Sequence, residues 1–258
     1  MQPTLTQLFT TPIKGFALSA PSSVTLDKNG AVGDRDFLVA DDGGELISIT
    51  RTGAFAGWHA QFAADSGVLT LTAPDGRMLE DRVVDEQSTV INFWDERSVQ
   101  GHVVGGSWSA WLSEIAGRPV QLVRAQEPGG GYDVAAVTVV SEESVAELAK
   151  AADVPSVDIR RFRMLLNISG VLPHEEEAWS GRRVRVGSAV LRMAGPVPRC
   201  NATTRDPDSG KRNLKTLKLI ADVRGMQPNE FGDGLNLGAY ATVVEPGVIS
   251  VGDLLTVL

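Results

Sequence analysis

Hydrophobic and polar residues alternate over short distances through the first hundred positions, which is the period of half-buried strands. Asp36–Ala40 and Glu45–Thr50 flank Asp41-Asp42-Gly43-Gly44, a hairpin signal. Val68–Thr72 runs into the turn Ala73-Pro74-Asp75-Gly76 and resumes towards Val84, and Thr89–Trp94 and Ser98–Val104 flank a third turn at Asp95-Glu96-Arg97. Strands at such even spacing predict a small barrel or sandwich. A helical period first occurs at Ser107–Ala116, where Trp108, Trp111, Leu112 and Ile115 share a face, with Ser107 as the expected cap and Gly117 then Pro119 as the stop. A strand follows at Val120–Ala125.

Glu127–Gly131, reading EPGGG, is the best linker signal and opens a second region. Val137–Val140 predicts a buried strand, and Ser141 starts a helix with Glu142 and Glu143 in its first turn, where carboxylates suit the positive helix end. Arg163–Ser169 and Arg183–Met193 read as strands, Asn213 as the cap of a helix through Arg224, and Tyr240–Val244, Val248–Val251 and Leu254–Leu258 as closing strands. The triple Glu175-Glu176-Glu177 reads as a solvated loop. The fold class expected is mostly β (α+β), a β-barrel-like unit at 1–118 packed on a second barrel with a few helices at 119–258.

Composition narrows the function. No apolar run approaches the roughly 20 residues of a bilayer span, and the first residues lack the basic start and apolar stretch of a signal peptide, so neither membrane nor secretion is expected. Cys200 is the only cysteine, which excludes an internal disulfide framework and fits a cytoplasmic protein. The net charge of −8 argues against nucleic acid as a partner. That charge is unevenly spread: residues 160–218 hold 13 Lys and Arg against 5 Asp and Glu, while the rest of the chain holds 11 against 27. An acidic chain thus concentrates cations in the segment that carries its cysteine. A solvated basic face explains such clustering; so does an oxyanion ligand gripped by arginine forks.

Cys200 lies in GPVPRCNATTRDPDSGKRNLKTLK (195–218), with Arg199, Arg205, Lys211 and Arg212 around it. A free cysteine on its own reads as a small buried hydrophobe. Positive neighbours favour the thiolate, the form that ligates metals or attacks. His59, His102 and His174 with one cysteine cannot build a conventional zinc site, and the Walker A, G-x-G-x-x-G and G-x-S-x-G patterns are absent. Lys14, between Pro12-Ile13 and Gly15, lies where the backbone can bend close to a ligand.

The C-terminal half resembles the MOSC (molybdenum cofactor sulfurase C-terminal) domain through RRFRMLLNISG at 160–170, EEAWSGRRVRVG at 176–187, PVPRCNATTRDPDSGK at 196–211 and EPGVISVGD at 245–253. TPIKGF at 11–16 and VGDRDFLVADDGGELISITR at 32–51 resemble the β-barrel domain that precedes it in the amidoxime-reducing component family. The resemblance implies a molybdopterin-type molybdenum cofactor with Cys200 as metal ligand and catalytic residue. It implies Lys14, Arg35 and Arg163 around the cofactor's phosphate, Asp133 facing the pterin, and Arg51 and Arg199 as further contacts. Two departures from the family pattern stand out. Leu165 replaces a polar contact, and Gly15 replaces a serine. The implied activity is reduction of small N-hydroxylated or N-oxide substrates with electrons from a separate donor protein. Two other readings accompany it: a carrier of cofactor or sulfur, with Cys200 as a persulfide, and a MOSC fold that binds some other anion. The sulfurase's pyridoxal phosphate belongs to an additional domain, and that cofactor is not expected here.

Overall fold

The computed structural model describes residues 2–258 except Asp95, so that residue of the third expected hairpin turn lies outside the described residues. The fold is β-rich with few helices. Its largest sheet has seven strands in the order Thr4–Leu8, Leu166–Ser169, Val137–Ser141, Asn236–Glu245, Ala189–Pro198, Arg183–Val186, Leu255–Val257. The two edges meet. Thr4 bridges Leu254, the Leu5 amide donates to Asp253 O at 2.8 Å, and the Leu255 amide donates to Pro3 O at 2.8 Å, so the sheet curls into a nearly closed barrel. Alternate residues fill it: Leu5, Val137, Val139, Leu166, Ile168, Val184, Val186, Leu191 and Ala239 are buried in one cluster.

A second core lies under two smaller sheets. One orders Phe37–Ala40, Gln121–Ala125, Arg97–Val104 and Asp85–Phe93, and the other orders His59–Ala63, Val68–Thr72 and Met78–Arg82. Ile13, Phe16, Phe37, Leu69, Leu71, Trp108 and Leu112 pack between them. Trp58 and Trp111 meet edge to face, with ring centroids 5.0 Å apart.

Strand pairings cross the 118/119 division in both directions. Thr4–Leu8 completes the seven-stranded barrel, Ser23–Asp27 pairs with Gly247–Ser250, and Gln121–Ala125 sits in the sheet of the first unit. The chain's two ends therefore tie the units together.

Several elements differ from their sequence expectation. Arg163 is not in a strand: it terminates the 3-10 turn Ile159–Phe162 with φ 54°, and the strand starts at Leu166. Arg183–Met193 is the start of a hairpin, folded at Gly187-Ser188. The Ser107 side chain makes no capping bond, and the helix expected from Asn213 begins at Thr216. Glu175–Ala178 is a short helix rather than a solvated loop. Glu176 is fully buried, accepting from the Ser141 amide and the Ser144 hydroxyl, both at 3.1 Å, and burial holds its carboxyl above the usual range. Glu177 accepts two hydrogen bonds from the Arg224 guanidinium, at 2.7 and 2.8 Å. The triple reads as surface because its neighbours in sequence reveal neither partner.

The approach to Cys200 follows from two prolines. Pro196 and Pro198 lie where strand Ala189–Pro198 shifts register against Asn236–Glu245, the place in a sheet where a missing N–H costs least. They carry the chain stiffly off the barrel end into Arg199 and Cys200.

Candidate functional site

Three cations converge at the seam of the two units. Lys14 follows the Ile13–Phe37 bridge, and its amide bonds Phe37 O at 2.9 Å, which aims the side chain inwards. Its Nζ donates to Gly131 O and meets Asp133 Oδ1, both at 2.7 Å. The EPGGG segment is thus a packed floor rather than a slack linker. Its Gly131 amide also donates to Arg35 O, at 2.9 Å. Arg35 has φ 57°; its guanidinium pairs with Asp34 and donates to Arg163 O at 3.0 Å. Asp34, with no exposed surface, also accepts from the Thr11 amide at 2.7 Å. The Arg163 guanidinium donates to Phe16 O at 2.8 Å.

The charges here do not balance. Lys14 and Arg35 have Asp133 and Asp34, but among the described residues Arg163 has no carboxylate within ion-pair distance. Burial, reinforced by the nearby Arg35 charge, lowers Arg163 from its ordinary value to about 9, so it is still cationic at neutral pH. Burial likewise lowers Lys14, with Asp133 opposing. Burial works against ionisation of Asp133, yet Lys14, through charge and hydrogen bond, and then Arg35 and Arg97 outweigh it and hold the carboxyl below its usual range. The Asp133 side chain is 58% exposed, so it also faces outwards from the cluster. A buried cation without a counter-charge is costly unless an anion joins it.

The thiol lies beside this cradle. Arg199 donates to Phe162 O at 2.6 Å and to Met164 Sδ at 3.3 Å, the residues on either side of Arg163, so the Cys200 turn and the cradle share a wall. Burial lowers the Arg199 guanidinium, and its Nε is buried without a partner among the described residues. Cys200 is exposed and opens the 3-10 turn Asn201–Thr204. It is therefore not the small buried hydrophobe that a free cysteine suggests. Its Sγ lies 3.6 Å from the Thr50 hydroxyl of the first unit. Arg205 and Arg212 both donate to Thr50 O, at 3.4 and 3.2 Å.

The turn is clamped from two sides. Arg161, 8% exposed, donates to Arg205 O at 2.8 Å and Asn213 Oδ1 at 2.7 Å. Arg160 forms a fork with Asp208, at 2.8 and 2.9 Å. On the other side Gly53 and Gly210 are in backbone contact: a Cβ on Gly53 would stand 2.2 Å from Gly210 O, and one on Gly210 would stand 2.1 Å from Gly53 O.

Of the residues expected at the site, Lys14, Arg35, Asp133 and Arg163 form the cradle, and Arg199 and Cys200 adjoin it. Arg51 is exposed and paired with Glu45 at 3.3 Å. Leu165 is buried in the barrel core, and Asn167 is fully buried away from the cradle, donating to Gln7 O at 3.5 Å. The basic segment 160–218 is divided: Arg182 reaches the carbonyl of Leu258, at 3.1 Å, and Arg183 pairs with Glu245, so these two serve the far end of the barrel. Sequence reasoning missed Thr50, the clamp of Arg160 and Arg161, and the Gly53–Gly210 contact. The pair Gly53 and Gly57 was a signal for close backbone approach, although nothing in sequence names what approaches.

Comparison with known proteins gives the family. The model described as MOSC domain matches residues 126–256, and that described as MOSC N-terminal beta barrel domain matches residues 2–119. The Danio rerio protein named mitochondrial amidoxime-reducing component 1 is 27% identical over 96% of this chain and 83% of its own length. The Homo sapiens protein of that name is 23% identical over 97% of this chain and 81% of its own. The Oryza sativa molybdenum cofactor sulfurase is 24% identical over 83% of this chain, which spans only 30% of that longer protein. With matched models over both halves, and the clustered cations and cysteine falling within them, this chain belongs to the MOSC domain family and carries the MOSC N-terminal beta barrel domain ahead of it.

Proposed function

We propose that the chain binds a molybdenum–pterin cofactor at this seam and reduces small N-oxygenated substrates with electrons from a separate protein. The observation that carries the reading is Arg163, a part-buried guanidinium with no carboxylate within ion-pair distance among the described residues, set beside Lys14 and Arg35 and sharing a wall with Cys200. A lysine with two arginines suits a phosphate, and a thiolate suits a soft or high-valent metal.

The donor set fits such a group. Among the described residues, no three His, Cys, Asp or Glu side chains are placed to hold a metal ion, so the protein alone does not complete a metal's ligand set around Cys200. A metal bound there must bring further ligands with it, as a pterin dithiolene does. Among the described residues, the Nε atoms of Arg199 and Arg205 have no hydrogen-bond partner.

When bound, the cofactor supplies two-electron oxygen-atom chemistry, the metal cycling between its +4 and +6 states. The chain's residues bind and orient. Lys14, Arg35 and Arg163 grip the phosphate, and Cys200 fixes the metal. The Asp133 carboxylate, ionised at neutral pH, accepts a hydrogen bond from the pterin or the incoming substrate. Thr50 sets the direction of the Cys200 side chain.

Lys14→Met removes one charge-assisted contact, worth about 1.5–3 kcal/mol, while keeping most of the buried stem. Cofactor retention is expected to weaken by roughly 10- to 100-fold, read as molybdenum remaining after gel filtration. Unchanged retention would remove Lys14 from the clamp.

The function is tested by supplying protein purified from a molybdenum-cofactor-producing host with dithionite-reduced viologen and an N-hydroxylated amidine. Amine formation is expected. Molybdenum-loaded protein that reduces neither N-hydroxyl nor N-oxide compounds would contradict it. A mass increase of one sulfur atom on Cys200, with no tightly bound metal, would replace it with the sulfur-carrier reading.

A further inference from the structure

Ser48 is 3% exposed, and among the described residues its hydroxyl has no hydrogen-bond partner. A buried hydroxyl left unpaired is a net cost to a fold. Its place in the chain says where it points. Leu46 packs in the cluster with Phe93, while Ile47 packs in the core with Ile13 and Phe16. Extended backbone sends successive residues to opposite sides, so Ser48 returns to the side of Leu46 and Phe93. That is the side of the cradle: Lys14 Nζ stands 5.5 Å from the centre of the Phe93 ring. The chain turns immediately afterwards, the Arg51 and Thr52 amides both donating to Ser48 O at 3.0 Å, which fixes the residue at the entry of the turn. Gly15 brings this segment against the cradle. It lies between Lys14 and Phe16, whose carbonyl accepts from Arg163 at 2.8 Å. With φ 89° it holds a conformation glycine adopts freely, and a Cβ there would meet, among the described residues, only Ile49 N within 4 Å, at 3.6 Å. The peptide that follows Ser48 therefore stands against the cradle's backbone, and no side chain at position 15 fills the space beside it.

We propose that Ser48 is an oxyanion-binding residue of the cradle, its hydroxyl donating to the anion that Lys14, Arg35 and Arg163 surround. The inference rests on the cofactor reading, in which that oxyanion is a phosphate. Part of the cations' donor capacity is already spent within the protein: Lys14 donates to Gly131 O, Arg35 to Arg163 O and Arg163 to Phe16 O. A phosphate presents several acceptor oxygens and needs further donors. Another cation would add to the repulsion and burial that already work against Lys14 and Arg163. A hydroxyl adds a donor and no charge. Binding also gives Ser48 the partner that the fold itself does not provide.

The test uses Ser48→Ala in the full chain. Cofactor-free wild type and variant are titrated with inorganic phosphate in a calorimeter. The wild type is expected to bind, and the variant to bind about tenfold more weakly, the scale of one hydrogen bond to a charged group. Without phosphate the variant is expected to melt at the wild-type temperature or above it, because the substitution removes a hydroxyl that has no partner. In protein from a cofactor-producing host, pterin is expected to leave the variant about tenfold faster on gel filtration. Equal phosphate affinity in the two proteins overturns the proposal, as does a wild type that binds no phosphate. A phosphate-free variant that melts several degrees lower also overturns it, since the hydroxyl would then serve the fold. A wild type that carries no pterin from such a host, yet binds phosphate through Ser48, would fault the cofactor reading and leave Ser48 standing as an anion contact.

Discussion

Gly53→Ala is expected to lower the melting temperature by about 6–12 °C, the shift for a loss of roughly 3 kcal/mol in a chain of this size. The added Cβ would stand 2.2 Å from Gly210 O, and Gly210 Cα and C lie within 2.8 Å. All of these are backbone atoms, so no side-chain rotation relieves the contact. Either the Asn201–Arg212 loop moves off the first unit or the segment around Thr50 does. Both movements part Thr50 from Cys200, so cofactor retention is expected to fall with stability. Gly195→Ala is the matched control. Gly195 lies in the strand that leads up to the thiol, but a Cβ there meets nothing within 4 Å. Thermal unfolding of the three proteins checks the expectation. Equal melting temperatures for Gly53→Ala and Gly195→Ala would mean that the two glycines do not hold the loop.

Cys200→Ser acts on chemistry rather than on fold. The residue is exposed, and among the described residues its side chain makes one hydrogen-bond contact, with the Thr50 hydroxyl, so the melting temperature should stay within about 1–2 °C, as surface substitutions do. Serine keeps the shape but replaces a soft sulfur ligand with a hard hydroxyl. Substrate reduction is expected to fall by roughly 10³-fold or more, the scale seen when a group acting at the reacting centre is removed. Steady-state rates with the viologen donor measure it. Rates within threefold of wild type would show that Cys200 takes no direct part.

The sequence allowed the β-rich class, most of the strands and the cysteine segment to be read, because alternation, turn residues and prolines act over a few neighbouring positions. It did not show where Arg163 points, because the left-handed conformation that turns it into the cradle follows from the 3-10 turn before it rather than from its neighbours' polarity. Nor did it separate Arg160 and Arg161, which clamp the loop, from Arg163, which faces the cradle, since all three read alike in RRFR. Thr50 was invisible for another reason: its importance arises only when residues 150 positions apart in sequence come within 3.6 Å. Arg51, next to it, carried the charge that attracts attention, yet it pairs with Glu45. Long-range contacts between the two units decide these assignments, and no local pattern encodes them.

The most direct test is to measure molybdenum and pterin per chain in wild-type protein and Cys200→Ser, purified in parallel from a host that makes the cofactor. The expected result is close to one molybdenum per chain in the wild type and little in the variant. A wild type without metal, or a variant that retains as much as the wild type, would contradict the assignment of Cys200 and the cradle beside it to a molybdenum cofactor.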